Sequence, residues 1–392
     1  MPAEYLLICS KFDLSSCRSQ LTGKAGTPTG NLKNMKRTIV AFAALSAMSL
    51  PSVAQSPDPN LLAPYKPEVK IQGAIRVFGG ALKGQVEAWE KGFQRFHPDA
   101  TFGNNFTQSS EGAIPGLYIL GVDVAPAGDD AKVSDLLPFY EVKKYLPTEL
   151  IVATGGYETR GSLWAIQIVV NKDNPLSKLT MTQLDDIFGS ERTGGWEGVF
   201  YTGKYARPAS ENIRTWGQLG LTGEWADKPI QTYGYIAPGF EVNVERKLFH
   251  WNDKWNENFK EYVEEKEIVP DAEGRKVASE RMYEALSKDK YGIAWGPILH
   301  SKNYPDVKQI DLSEDGGPYV PLTLANVQNR TYPFKRDAYV YIDQQPGKRM
   351  DDRAREFMRY ILSREGQQDV KDFGMFYPLP KSVVDAQLKL IR

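Results

Sequence analysis

Ala74-Ile75-Arg76-Val77-Phe78-Gly79-Gly80, followed after a short turn by Val86-Glu87-Ala88-Trp89-Glu90-Lys91-Gly92-Phe93, is the stretch that decides the fold class. Its first part reads as a buried strand closed by two glycines. In its second part Val86, Trp89, Phe93 and, just beyond, Phe96 recur every three or four residues, the period of a helix with one apolar face. His97-Pro98-Asp99 stops that helix, because proline lacks the N–H that would continue the ladder and disfavours helical backbone before it. A strand, a glycine turn and an amphipathic helix, in that order, make the unit from which parallel α/β sheets are built.

Similar units follow downstream. Thr101 to Thr107 forms a second strand, and Ser109-Ser110-Glu111-Gly112 opens another helix with serine as its N-cap. Leu120-Gly121-Val122-Asp123-Val124 reads as a third short strand. Leu163 to Asn171 is strongly apolar, and Thr180-Met181-Thr182-Gln183 is a capping box ahead of Leu184, Ile187 and Phe188. A helix follows Gly239, with Phe240, Val244 and Leu248 on one face, and the polar stretch 251–290 reads as mostly helical. Tyr291 to Trp295 and Ala338 to Ile342 are strands. Asp351 opens a final long helix whose stripe is Ala354, Phe357, Met358, Ile361 and Leu362.

Upstream, residues 55–70 are rich in proline and form an extended lead-in. Before them, Met35-Lys36-Arg37 opens a basic region, Thr38 to Leu50 is apolar and small, and Ser52-Val53-Ala54 offers a small-residue cleavage site before Gln55. That is the pattern of a secretory signal peptide over 35–54, its apolar run too short to span a bilayer. Residues 1–34 are expected to be a disordered, non-native extension, with Met35 as the start; the competing reading is a cytosolic chain with an N-terminal apolar helix. Both cysteines, Cys9 and Cys17, lie in this leader, so neither a disulfide, a thiol nucleophile nor a lipid anchor is expected in the exported chain.

The 392 residues suffice for two domains, and 41% hydrophobic with 25% charged residues is an ordinary globular make-up. Residues 1–54 hold six Lys/Arg and two Asp/Glu, leaving 42 basic against 47 acidic residues beyond them. With no basic stripe, nucleic acid is not an expected partner. Neither a His-Glu-x-x-His pair, a Gly-x-Ser-x-Gly elbow nor a phosphate loop ending in Gly-Lys-Ser/Thr occurs, and the three histidines His97, His250 and His300 form no sequence motif. The chain is expected to be no enzyme and to use no cofactor and no metal.

Four ordered segments resemble the type II periplasmic binding proteins, specifically their phosphate-binding-like branch. They are Ile75 to Gly80 with Val86 to Phe93 and His97-Pro98; Ser109 to Gly112 with Gly121 to Val124; Val169 to Leu176 with Leu179 to Gly189; and Tyr332-Pro333-Phe334-Lys335-Arg336 with Tyr339 to Ile342, Pro346 to Lys348 and Phe357 to Gln367. The resemblance implies an α/β fold of two lobes, joined by two crossing hinge strands near 163–171 and 336–342, with a ligand cleft between them. Lobe one would be discontinuous, 70–162 plus 336–392, and lobe two would cover 163–335. The implied role is that of a monomeric, periplasmic solute-binding protein. It would carry phosphate or another small oxyanion to the inner-membrane permease of an ABC transporter.

For such a ligand, helix N-termini supply unpaired N–H groups, hydroxyls add neutral donors, and one aspartate accepts from a protonated phosphate. The resemblance points to three turns: Gly79-Gly80-Ala81-Leu82, Ser109-Ser110-Glu111-Gly112 and Ala237-Pro238-Gly239-Phe240, with the aspartate in Gly128-Asp129-Asp130, at Asp129 or its neighbour. The candidate ligand residues are therefore Gly80, Ala81, Leu82, Ser109, Ser110, Glu111, Asp129, Gly239 and Phe240. The family usually has a hydroxyl in the first turn, where this chain has Gly80 and Ala81. It usually has hydroxyls in the third turn and an arginine just before it, where this chain has Phe240, Tyr233 and Tyr235. Glu111 suits a cationic or polyhydroxyl ligand better than an anion. Trp196, Trp216, Trp225, Tyr233 and Tyr235 could stack an organic solute, although packing is their ordinary use. The alternatives are thus the same fold holding an organic solute, a ligand-free extracytoplasmic interaction protein, and, with no motif behind it, an exported hydrolase.

Overall fold

The computed structural model describes residues 56–107, 110–159, 163–237, 239–264 and 276–391. The leader, with its expected signal peptide, and the candidate Ser109 lie outside the described residues.

The deciding stretch folds as its pattern predicts. β1 (Gly73–Gly80) runs into α1 (Lys83–Gln94) and returns as β2 (Ala100–Thr107), which pairs parallel to β1 along its whole length. Single turns follow, including α2 (Ala113–Pro115), and a wide π-type turn over Gly116–Leu120 closes on Gly121 in the left-handed region. The strand expected at 120–124 therefore starts later, as β3 (Ala125–Ala127), with Val124 only bridging Val77. α3 (Val133–Lys143) and β4 (Thr148–Thr154) complete this part.

β5 (Ile166–Asn171) is wholly buried, which is why its sequence is mostly apolar, with Gln167 and Asn171 the buried polar exceptions. β6 (Lys178–Thr180) leads through the Thr180/Gln183 capping box into α4 (Met181–Phe188), followed by the hairpin β7 (Gly195–Glu197) and β8 (Phe200–Thr202). β9 (Gln231–Ile236) feeds α5 (Phe240–Lys247), capped by Gly239. Beyond it, among the described residues of the run expected to be mostly helical over 251–290, β10 (Lys260–Val263) is a strand and α6 (Ala278–Lys288) is a helix. Asparagines are the reason for part of this: Asn256 donates to Ile187 O and accepts from Asn258 N–H, bonds that compete with a helix.

β11 (Gly292–Pro297), α7 (Ile298–Ser301), β12 (Val307–Gln309), β13 (Asp311–Ser313) and α8 (Leu324–Gln328) lead to β14 (Asp337–Ile342). The expected final long helix is three helices, α9 (Asp352–Ile361), α10 (Arg364–Phe373) and α11 (Lys381–Leu390). The first break falls at Ser363, whose Oγ accepts the Gly366 N–H and so caps a new helix.

The sheets are mixed, not purely parallel as the strand–turn–helix order suggested. The largest has the order β10-β9-β11-β5-β12, with β5 antiparallel to both neighbours. β14 lies antiparallel between β3 and β4. One core gathers Ile168, Val170, Leu184, Phe188, Phe240, Met282, Trp295 and Phe334. Another gathers Val77, Trp89, Phe93, Leu150, Val152, Val340, Phe357 and Tyr360, beside a small cluster of Phe139, Tyr339 and Tyr341. The lead-in belongs to that second core, since Leu62, Tyr65 and Ile71 are buried in it.

Candidate functional site

Where the turn after β2, the loop after β3 and the start of α5 converge, a cavity of about 230 Å³ opens. Ser110, Glu111, Asp129, Asp130, Lys132, Asp135, Gly239, Glu241 and Glu264 are among its lining residues. The structure thus brings together Ser110, Glu111, Asp129 and Gly239 from the sequence candidates. Gly80, Ala81 and Leu82 are not on the lining: Gly80 pairs with Thr107 at the end of β1, and Leu82 is buried in the core. Ala81 is exposed at φ 65°, a left-handed backbone that costs a non-glycine residue about 1–2 kcal/mol.

Ser110 is not the helix cap its sequence suggests. Its Oγ accepts the N–H of Gly128 at 2.9 Å, which ties the first cavity wall to the loop that carries Asp129. A hydroxyl that accepts one bond still has its own proton to donate.

Asp129 is paired within the protein. Arg336 Nη2 donates to its Oδ1 at 2.6 Å, and the guanidinium lies 4.8 Å from the centre of the Phe240 ring. Phe240 is buried beneath this pair, and its N–H is committed to Ala237 O at 3.0 Å, so neither its ring nor its amide faces the cavity as a ligand donor. Gly239 sits at φ 79°, and a Cβ there would overlap Asp129 Oδ1 and Arg336 Nη2. Only glycine meets both demands.

The electrostatics are lopsided. Glu111, Asp129, Asp130, Asp135, Glu241 and Glu264 line the cavity against one lysine, Lys132, which reaches Glu111 at 3.2 Å. Burial pushes the Asp135 and Glu241 carboxyls up. Burial would lower Lys132, but Glu111, Asp135 and Glu241 outweigh it and hold it up. Glu241 occupies the first turn of α5 and accepts its own backbone N–H, so the chain's own carboxylate sits where an anion would be favoured.

Lys132, Asp135, Glu241, Glu264 and Arg336 were missed from sequence, and Asp130 was the open alternative to Asp129. Arg336 had a signal, since it ends the quoted Tyr332-to-Arg336 segment. It pairs with Asp129, 207 residues away in sequence. The middle aromatics are packed: Trp216, Trp225, Tyr233 and Tyr235 are buried in the first core. Among the described residues, no group of three or more His, Cys, Asp or Glu could hold a metal ion, and no helix is long and apolar enough to cross a membrane.

The pattern of the PBP superfamily domain matches residues 164–365, more than half of the chain. The chain belongs to the PBP superfamily. Within it, the phosphate-binding protein PstS of Pseudomonas aeruginosa is 28% identical over 358 residues, covering 91% of this chain and 98% of that protein. The PstS of Staphylococcus epidermidis is 27% identical over 226 residues, 57% of this chain and 56% of its own length. The crystal structure of PstS from Borrelia burgdorferi, 13% identical, superposes with a TM-score of 0.48 over 78% of this chain and 99% of that one. This PBP-superfamily protein is of the type II, phosphate-binding-like kind, with a two-lobed α/β fold. It is a solute-binding protein and not an enzyme.

Proposed function

We propose that this PBP-superfamily protein is the exported solute-binding component of an ABC importer. It takes phosphate or a similar small oxyanion between its lobes and delivers it, as a monomer, to an inner-membrane permease. The observation that carries this reading is the end-to-end similarity to a relative named for phosphate binding, 98% of whose length is covered. The signal-peptide pattern of 35–54 supports export into the periplasm. Lobe two is taken as 163–335, centred on the core around β5 and α5, and lobe one as 70–162 with 336–392; the crossings are β5 and β14.

In this reading Ser110 donates to the solute, Asp129 accepts from a protonated oxyanion, and Arg336 and Lys132 supply positive charge. Gly239 lets backbone and ligand approach closely. The six lining carboxylates favour a second reading, in which the solute carries a cationic group besides its oxyanion or in place of it.

Calorimetric titration with phosphate, sulfate, a simple sugar and an aminoalkylphosphonate tests both. Saturable heat with phosphate and none with sulfate supports the first reading. Heat with the aminoalkylphosphonate alone moves the assignment to the second, and no heat with any of them removes small oxyanions from consideration.

A further inference from the structure

One helix of the lobe-two core carries a charged cluster that meets the cavity only through Asp130 and Tyr341. α5 buries Phe240 and Val244 among the residues around β5, and it turns Asn243 and Arg246 the other way. Arg246 Nη1 donates to Asp130 Oδ1 at 2.6 Å and to Glu149 Oε2 at 3.2 Å, while its Nη2 donates to Glu149 Oε1 at 2.9 Å. Asp130 follows β3 and Glu149 lies on β4, both on the lobe-one side.

Every participant has further support. Asn243 Nδ2 donates to Asp130 Oδ2 at 2.8 Å, Tyr339 OH to Asp130 Oδ1 at 2.7 Å, and Tyr341 OH to Glu149 Oε2 at 3.0 Å. The guanidinium also lies over the Tyr339 and Trp251 rings, 5.7 and 5.9 Å from their centres. Trp251 and its neighbour His250 both hold a left-handed backbone, φ 63° and 52°, a conformation that persists only where its surroundings over-determine it.

A buried ion pair is favourable only when its remaining donors and lone pairs are satisfied. Here both carboxylates meet it, since every oxygen of Asp130 and Glu149 accepts a bond, while Asn243 Oδ1 is left without a partner. Asp130 is 4% exposed, and burial alone would raise its carboxyl, yet Arg246, Asn243 and Tyr339 hold it below the ordinary range. Burial would likewise lower Arg246, and Tyr339, Asp130 and Glu149 reverse it.

We infer that Arg246, gripping Asp130 and Glu149, is a built-in latch that holds the two lobes closed without any solute. The latch rests on the two-lobe division proposed above and is independent of which solute is carried. It makes opening, not diffusion, the slow step for solute entry, and it gives Arg246 a positioning role without contact to the solute.

The test is a spin-label distance across the lobes in the full chain. Labels go on K91C and D227C, two exposed sites, in a C9S/C17S background, with and without phosphate. The wild type without phosphate is expected to show a single short distance, and Arg246→Met to shift it to longer values. Glu149→Gln, which keeps an acceptor for Arg246, is the milder variant and carries the test if Arg246→Met does not fold by circular dichroism. A wild-type distance that is long without phosphate and shortens with it overturns the latch and leaves the two-lobe reading intact. A distance that moves neither with phosphate nor in folded variants overturns both.

Discussion

Arg336 and Asp129 form an ion pair at 2.6 Å directly beside Gly239, so that the cation just before β14, a loop carboxylate and the start of α5 meet at one point. The arginine side chain is 3% exposed and rests on the Phe240 ring. The Asp129 carboxylate stands beside this largely buried helix start, where the helix dipole favours negative charge. Arg336 stands behind the cavity wall and is not on its lining, so a solute there meets the Asp129 carboxylate first.

Arg336→Met is therefore expected to lower stability by about 2–4 kcal/mol, because it leaves the Asp129 carboxylate without its partner. Asp129→Asn should cost less, since the amide oxygen still accepts from Arg336. Urea midpoints of the two variants check this. An Arg336→Met midpoint equal to that of wild type would mean that the pair contributes nothing.

Gly239→Ala tests the tightness of the same junction. The left-handed backbone alone costs an alanine about 1–2 kcal/mol, and the added Cβ has no room against Asp129 and Arg336. Both thermal stability and phosphate heat should fall. If only stability falls, the junction is structural and does not shape the cavity.

Much of the fold was legible because it is written in short-range periodicity. Val86, Trp89 and Phe93 gave α1, Thr180 with Gln183 gave the start of α4, and the largely apolar Ile166–Asn171 gave a strand buried on both faces. The site was legible only where it followed family order, at Ser110, Asp129 and Gly239. Arg336 meeting Asp129, or Arg246 meeting Asp130 and Glu149, leaves no local pattern, because such pairs are set by how distant elements pack. Ser110 misled for a related reason. A serine before a turn reads as a cap, and nothing nearby shows that its Oγ will accept from Gly128.

His97 makes the lead-in pH-sensitive. Its Nδ1 accepts the Ile71 N–H at 3.0 Å, so in the neutral ring Nε2 carries the proton and donates to Tyr65 OH at 2.7 Å; that hydroxyl in turn donates to Glu356. Burial lowers the His97 pKa below its ordinary 6.5, with Glu356 opposing. The unfolded chain then binds the proton more readily, so this stability is present above about pH 6.5 and is lost as pH falls through the folded value. His97→Gln should be less stable at neutral pH and show a flatter acid limb in thermal melts. An unchanged acid limb would exclude His97 as its source.

Glu90 carries the opposite sign. It is 8% exposed, Asn104 donates to one oxygen, and the other has no hydrogen-bond partner. Burial raises its pKa to about 7, with the Asn104 bond opposing. A raised carboxyl favours folding least when ionised, so stability falls as pH rises from the unfolded value of 4.5 toward about 7. Glu90→Gln should gain on the order of 1–3 kcal/mol at about pH 8 and nothing in acid. Paired denaturation curves at the two pH values measure it.

The cavity's charge is best read through Glu241, because this carboxylate sits in the first turn of α5 and faces the space a solute would fill. An anion entering there meets a like charge about one solute diameter away. At the effective dielectric of a half-buried site that repulsion amounts to about 1–2 kcal/mol. Glu241→Gln should then tighten phosphate binding roughly five- to thirtyfold in calorimetry, and the gain should shrink as salt is added. The same substitution should weaken an aminoalkylphosphonate if its ammonium is what the carboxylates receive. Tighter phosphate with an unaffected aminoalkylphosphonate favours a plain oxyanion carrier whose acids set a threshold for entry. Unchanged phosphate with a weakened aminoalkylphosphonate makes the carboxylates part of the recognition itself, and the solute a cation-bearing one.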